Sequence, residues 1–161
     1  MIAIAFQVPG RPVTWQRGVK GVRLDARGKI AKDYRQKVHL FAMQALGLAR
    51  RAGVVWPDVR ENHHAFRVDV AGWWPDRNEG DEDRMVSLVR DALEGVLYKS
   101  DRQVKASKNA VGPTCEAGAE GLVVVVRVLS ELDRETWASS VMTDASGICA
   151  SQAIARQAVR R

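Results

Sequence analysis

Cysteine is scarce: the 161-residue chain has only Cys115 and Cys149. They lie far apart and fit no metal-ligand spacing, so they read as two reduced thiols of a cytoplasmic protein. No apolar run approaches the length of a membrane span, which excludes a helical membrane protein as the expectation. The opening MIAIAFQVPGRP has no basic residue before its apolar stretch and meets Pro9 and Gly10 early, so it does not read as a signal peptide. A Walker loop, a G-x-S-x-G elbow, a zinc signature, internal repeats and low-complexity segments are likewise missing. What remains is ordinary globular composition, 46% hydrophobic and 27% charged, in a chain long enough for one domain with a real core.

Charge is what departs from the ordinary. The net charge is +6, unevenly distributed. Up to Arg60 there are twelve Lys and Arg against three Asp, a balance of +9, whereas residues 61–133 carry nine basic against fourteen acidic residues. A basic first third followed by an acidic middle suggests a polyanion-binding surface beside a cation-binding centre. The plainer reading is a basic surface that only confers solubility.

Hydrophobic patterning gives the order of elements. Residues 2–8 read as a strand ended by Pro9-Gly10. Residues 11–30, with Pro12, Gly18, Gly21 and Gly28 among basic side chains, read as a long loop. Tyr34, Val38, Phe41, Ala42, Ala45 and Leu48 follow helical spacing over 31–52, and Gly53 closes the pattern. A strand is expected over 65–73. A helix over 84–96 follows from the stripe Met85, Leu88, Val89, Ala92, Leu93 and Val96. A short extended piece at 103–106 and a VVVV strand buried on both faces at 121–129 complete the set. The expected fold is α/β: a small mixed β-sheet packed by helices. Residues 1–130 would form the domain, and 131–161 a C-terminal extension that is either a short helix or a frayed tail.

The chemistry concentrates in residues 75–83, where Asp76, Glu79, Asp81, Glu82 and Asp83 crowd together. Like charges this close raise one another's pKa, and a cation or a helix N-terminus relieves them. Asp81 and Asp83 share a face only on an extended segment. With the apolar stripe beginning at Met85, Asp83 is expected as the helix N-cap and Asp81 as the last extended residue. An acidic cap on a solvated helix would need no metal, and a single D-x-D is common. Asp101 adds a third carboxylate. A helix over 84–96 rises roughly 18 Å, and five extended residues span about 17 Å, so a sharp reversal after Val96 brings Asp101 back beside Asp81 and Asp83. Asp91, about 12 Å along the axis from Asp83, is expected at the surface or behind the site. Three convergent carboxylates suit a hard divalent cation, Mg²⁺ or Mn²⁺. Beside a basic surface, the matching reaction is metal-assisted phosphodiester hydrolysis.

The stretches Trp74-Pro-Asp-Arg-Asn-Glu-Gly-Asp-Glu-Asp-Arg, Val89-Arg-Asp-Ala-Leu-Glu-Gly-Val-Leu and Ser100-Asp-Arg-Gln-Val, with the opening Phe6-Gln-Val-Pro-Gly-Arg-Pro, resemble the RusA family of Holliday junction resolvases. The likeness runs over about residues 4–128. It implies a homodimeric, Mg²⁺-dependent endonuclease that makes paired symmetric nicks in branched DNA, with Asp81, Asp83 and Asp101 as catalytic metal ligands. Three positions depart from the family pattern: Arg84 stands for an Asn, Ser87 for a catalytic Lys, and Ser100 for the first of two Asp. Arg84, one turn before Ser87, is expected to stand in for the lysine as a catalytic cation. Arg11, Arg17, Lys20 and Arg23 are the expected DNA-phosphate contacts.

Two other readings remain open: a weakened relative that binds branched DNA without cutting it, and a generic nucleic-acid-binding module whose acidic cluster only caps a helix. His63-His64 is either a metal pair or general base, or simply part of a solvated loop. His39, within a helix, is expected to be structural. Trp73-Trp74 is expected to pack in the core rather than to stack on a junction base.

Overall fold

The computed structural model describes residues 2–13, 26–75, 82–112 and 114–130. The basic residues Arg17, Lys20 and Arg23, the acidic residues Asp76, Glu79 and Asp81, and the 131–161 extension lie outside the described residues. In chain order the elements are β1 (Ala3–Pro9), α1 (Ala26–Arg51), β2 (Ala65–Trp73), α2 (Glu82–Leu93), a 3-10 turn (Asp101–Gln103), β3 (Val104–Val111) and β4 (Gly121–Leu129). The four strands form one sheet in the order β1-β4-β2-β3. β1 and β4 are antiparallel, and β2 and β3 are parallel. The sheet is therefore mixed, as the patterning implies, with α2 as the crossover between the parallel pair. Met1–Val128 form one compact unit, and none of the described helices is long and apolar enough to cross a membrane.

Alternation along the strands decides which sheet face is buried. Ile4 pairs with Val126 and Val8 with Leu122, all four of them buried, while Ala3, Ala5 and Gln7 on the other side of β1 are exposed. Period-2 geometry puts the first set on one face, under the helices. The VVVV run of β4 is buried on that face at Val124 and Val126, and on the opposite face at Val123. The opposite face also carries an ion network, in which Asp69 accepts hydrogen bonds from Arg67 Nε (2.8 Å) and Arg127 Nη1 (2.7 Å). β3 runs five residues past its expected end. Its continuation Ser107-Lys-Asn is exposed at the sheet edge and carries no apolar alternation for a sequence reading to find.

Both helices depart from their expected bounds. α1 begins at Ala26 rather than at residue 31, so residues 26–30 are helix and not loop. Its buried row is Ala31, Tyr34, Val38, Ala42 and Leu46, whereas Leu48 is 61% exposed. The i+4 ridge, not the wider stripe through Leu48, faces the core. α1 ends at a Schellman motif, with Val54 N donating to Ala49 O (2.9 Å), Gly53 N donating to Arg50 O (3.0 Å), and Gly53 at φ +83°. Gly53→Ala is expected to cost about 1 kcal/mol and to lower the thermal midpoint by roughly 2–4 °C, measured by calorimetry.

α2 starts at Glu82, so Asp83 lies inside its first turn and is not the N-cap. It ends at Leu93, because the chain turns at Gly95 (φ +77°). Val96 is still buried, but in the turn after the helix.

Trp74 packs in the core at 2% exposure and donates its Nε1 to Pro12 O (3.2 Å). A Cβ on Gly72 would lie 2.6 Å from its ring, so glycine at 72 makes room for that indole. Trp73 is half-buried.

Candidate functional site

The candidate site is built on the chain reversal between α2 and β3. Glu94 forms a bridge with Tyr98, and Gly95 N donates to Tyr98 O (2.8 Å), closing a tight loop. Beneath it runs an aromatic column. Tyr98 packs against Phe66 (centroids 5.5 Å apart), and Phe66 stacks on Trp56 (5.9 Å). Two polar tips pin the loop to this column: Trp56 Nε1 donates to Leu97 O (2.9 Å), and Tyr98 Oη donates to Arg90 O (2.9 Å). Buried aromatics satisfy their polar atoms where they can: Trp56 does so on the reversal's own backbone and Tyr98 on the last turn of α2. Burial also pushes the Tyr98 phenol far above its ordinary range, so it stays a neutral donor.

The 3-10 turn then fixes Asp101. Ser100 caps it, accepting from Arg102 N, and Gln103 Oε1 reaches back to accept from Ser100 N (3.2 Å) and Lys99 N (2.9 Å). This is a capping box, S-x-x-Q. Gln103 is the buried polar residue of the described core, at 6% exposure. Its Nε2 donates to two carbonyls in the loop before β2, Glu61 O (3.0 Å) and His64 O (3.1 Å). One amide thus ties the Asp101 turn to the start of the central sheet.

Asp101 meets α2 along its polar face. Its N–H donates to Glu94 Oε1 (2.8 Å), and Arg90 Nη2 donates to its carbonyl (3.0 Å) and lies 3.6 Å from its carboxylate. At 100° per residue, Asp83, Ser87 and Arg90 fall within about 60° of one another around the helix. Asp101 is therefore applied to the same face that carries Asp83. Its contacts, however, fall on the second half of α2, with Arg90 about 10 Å along the axis from Asp83. The chain does not run extended from 97 to 101: residues 95–97 form a turn closed by the Glu94–Tyr98 bridge.

Asp91 adjoins this group, behind Asp101. Its acid is raised above the ordinary 3.8, first by burial and then by Glu94 and Asp101, while Arg35 and Arg90 act the other way. A carboxyl whose folded pKa exceeds its unfolded one costs stability when ionised. That cost is absent below the unfolded value and complete above the folded one. Asp91→Asn is therefore expected to raise the thermal midpoint at pH 7 in chelator, with the gain vanishing as pH falls below about 4. Melting curves across that range check it.

The other expected residues can be placed. Asp83 and Arg84 are exposed on the first turn of α2, and Arg11 is exposed just after β1. Ser87 donates its hydroxyl to Asp83 O (2.9 Å), within its own helix. His39 is structural, its Nδ1 hydrogen-bonded to Ala92 O (3.0 Å), which joins α1 to α2. Because a carbonyl only accepts, that nitrogen carries the proton.

His63 and His64 do not stand alone in solvent. With Glu61 they form a group whose ligand atoms all lie within 4.8 Å of one another, the one such cluster among the described residues. Glu61 went unseen in the sequence because it precedes the pair by a turn of irregular loop, where no periodicity applies. Gln103 and Asp91 were both visible in the motifs, but their roles depend on a reversal whose path the sequence leaves open.

No family model matches the chain, and no curated protein matches it.

Proposed function

We propose that the chain is a Mg²⁺-dependent, structure-selective DNA endonuclease of the RusA kind, acting as a homodimer on four-way junctions. The observation that carries this reading is the meeting of opposite charges at Asp91. Arg35, on the exposed basic surface of α1, and Asp101, on the 3-10 turn packed against the end of α2, both act on that one carboxyl. A basic helix surface and a group of carboxylates therefore adjoin, which is the arrangement a phosphodiesterase needs.

By the resemblance, Asp81, Asp83 and Asp101 would hold the cation; Glu94 and Asp91 adjoin Asp101, with Asp83 at the other end of α2. The donor type suits a hard divalent ion, since all the ligands are oxygens. Among the described residues, however, Asp83 and Asp101 do not converge, so closing the site depends on Asp81 and on movement of the Asp101 turn toward the start of α2. When bound, Mg²⁺ or Mn²⁺ supplies an activated water and offsets charge on the scissile phosphate. The chain's own part is positional. Glu94 and Arg90 hold the backbone of Asp101, and Lys29, Lys32 and Arg35 on α1, with Arg11, Arg17, Lys20 and Arg23 before it, bind backbone phosphates. Leu40, Met43 and Leu48 are exposed on α1, and β1 is an edge strand among the described residues. This surface supports a second copy of the chain as the partner.

One observation favours the weakened relative as a second reading. The Ser87 hydroxyl, where the family has an ammonium, is engaged with Asp83 O and carries no charge. Any cation there must come from Arg84. The test is a labelled four-way junction with Mg²⁺, cut by wild type, Asp83→Asn and Arg84→Ala. Paired nicks abolished by Asp83→Asn support the enzyme. Tight binding without nicks supports the weakened relative, and equal binding to linear duplex supports a generic module. Cleavage by Arg84→Ala within a few-fold of wild type removes Arg84 from the site.

A further inference from the structure

We propose that Glu61, His63 and His64 form a second metal site, selective for a borderline transition ion of the Zn²⁺ class and separate from the carboxylate centre. His64 Nε2 lies 2.8 Å from Glu61 Oε2, and His63 Nε2 lies 3.6 Å from the same oxygen. Two ligands at about 2.1 Å from a tetrahedral ion are separated by roughly 3.4 Å. The observed separations bracket that value, so the three side chains need little rearrangement to close on an ion. The two imidazoles are 4.0 Å apart at their centroids. Two imidazoles facing one carboxylate are a donor set that an ion of the Zn²⁺ class takes.

The loop that carries them is held from both ends. Arg60 N and Glu61 N donate to Asp58, at Oδ1 (2.9 Å) and O (3.0 Å) respectively. Gln103 Nε2 grips the carbonyls of Glu61 and His64 together. The ligand-bearing backbone is therefore fixed before any ion arrives, which limits the ordering cost of binding. His63 is 70% exposed and Glu61 46%, so the outer side of the site is open. Three protein ligands then leave a fourth position for water or an incoming group. The donor chemistry discriminates between ions. Two imidazoles and one carboxylate suit Zn²⁺, Co²⁺ or Ni²⁺, whereas Mg²⁺ prefers oxygen ligands throughout.

The test uses the full, tag-free chain, titrated with Zn²⁺ against a chromophoric chelator and, in parallel, with Co²⁺ followed by visible absorption. One ion per chain is expected to bind at micromolar affinity, with excess Mg²⁺ failing to compete. His63→Ala and His64→Ala are each expected to weaken binding 10–100-fold, and Glu61→Gln by at least several-fold. His63 is exposed, so its variant keeps the fold, and an unchanged metal-free melting curve verifies that. Asp83→Asn and Asp101→Asn are expected to bind Zn²⁺ as wild type does. Loss of Zn²⁺ binding in those two variants, or wild-type affinity in the His63→Ala/His64→Ala double variant, overturns the proposal. Neither result bears on junction cleavage, so this site and the nuclease reading fail independently.

Discussion

Gln103→Leu is expected to destabilise the protein by roughly 3–5 kcal/mol, out of the 5–15 kcal/mol that typically holds a domain of this size. The side chain is only 6% exposed, and its amide makes four hydrogen bonds. It accepts from Lys99 N and Ser100 N and donates to Glu61 O and His64 O. Leucine fills similar volume, so the cavity term is small and water is still kept out. The cost is that of leaving backbone groups without partners in a place solvent reaches poorly. Gln103→Glu separates the two halves of the amide. It keeps the acceptor for Lys99 and Ser100 but points a second carboxylate oxygen at two carbonyls, so at neutral pH it should be at least as unstable as the leucine variant. Denaturant unfolding of the three proteins checks this. Leucine and glutamate variants within about 1 kcal/mol of wild type would mean that the amide does not hold the Asp101 turn.

That residue also shows how much of the molecule was legible in the sequence. The mixed sheet, both helices and the buried strands followed from periodicity, because burial on one side of a strand or helix leaves a repeat of 2 or 3.6 in the chain. The S-x-x-Q spacing of Ser100 and Gln103 was present in the chain, but only the structure shows it as a capping box. What periodicity cannot carry is the path of an irregular reversal. Gly95 ends α2 three residues before the apolar stripe does, since Val96 is buried without being helical. The expected approach of Asp101 to the first turn of α2 rested on an extended run after Val96, whereas the contacts Asp101 makes are with Arg90 and Glu94. The Glu61-His63-His64 group was half legible. The histidine pair is plain in the sequence, but the carboxylate that completes it is brought in by loop geometry, which depends on Gln103 some forty residues away.

Asp101→Asn and Asp83→Asn are each expected to reduce junction cleavage by about 10²–10³-fold, if the carboxylates bind the ion that activates water. Loss of one charged ligand removes several kcal/mol of transition-state stabilisation, and each 1.36 kcal/mol is tenfold in rate. Asparagine is the informative replacement because the fold does not depend on these carboxylates. Asp101 is held mainly through its backbone, by Glu94 on its N–H and Arg90 on its carbonyl, and Asp83 is exposed. The variants should therefore melt close to wild type and bind a four-way junction at least as well, since removing negative charge near DNA favours binding at low salt. The double variant should lose little more than either single one, because ligands of one ion act as a unit. Band-shift and cleavage assays on the same junction separate the two effects. If cleavage falls only in proportion to binding, the carboxylates serve the surface and not the reaction. If binding holds while cutting disappears, the acidic face of α2 is where the phosphodiester is broken.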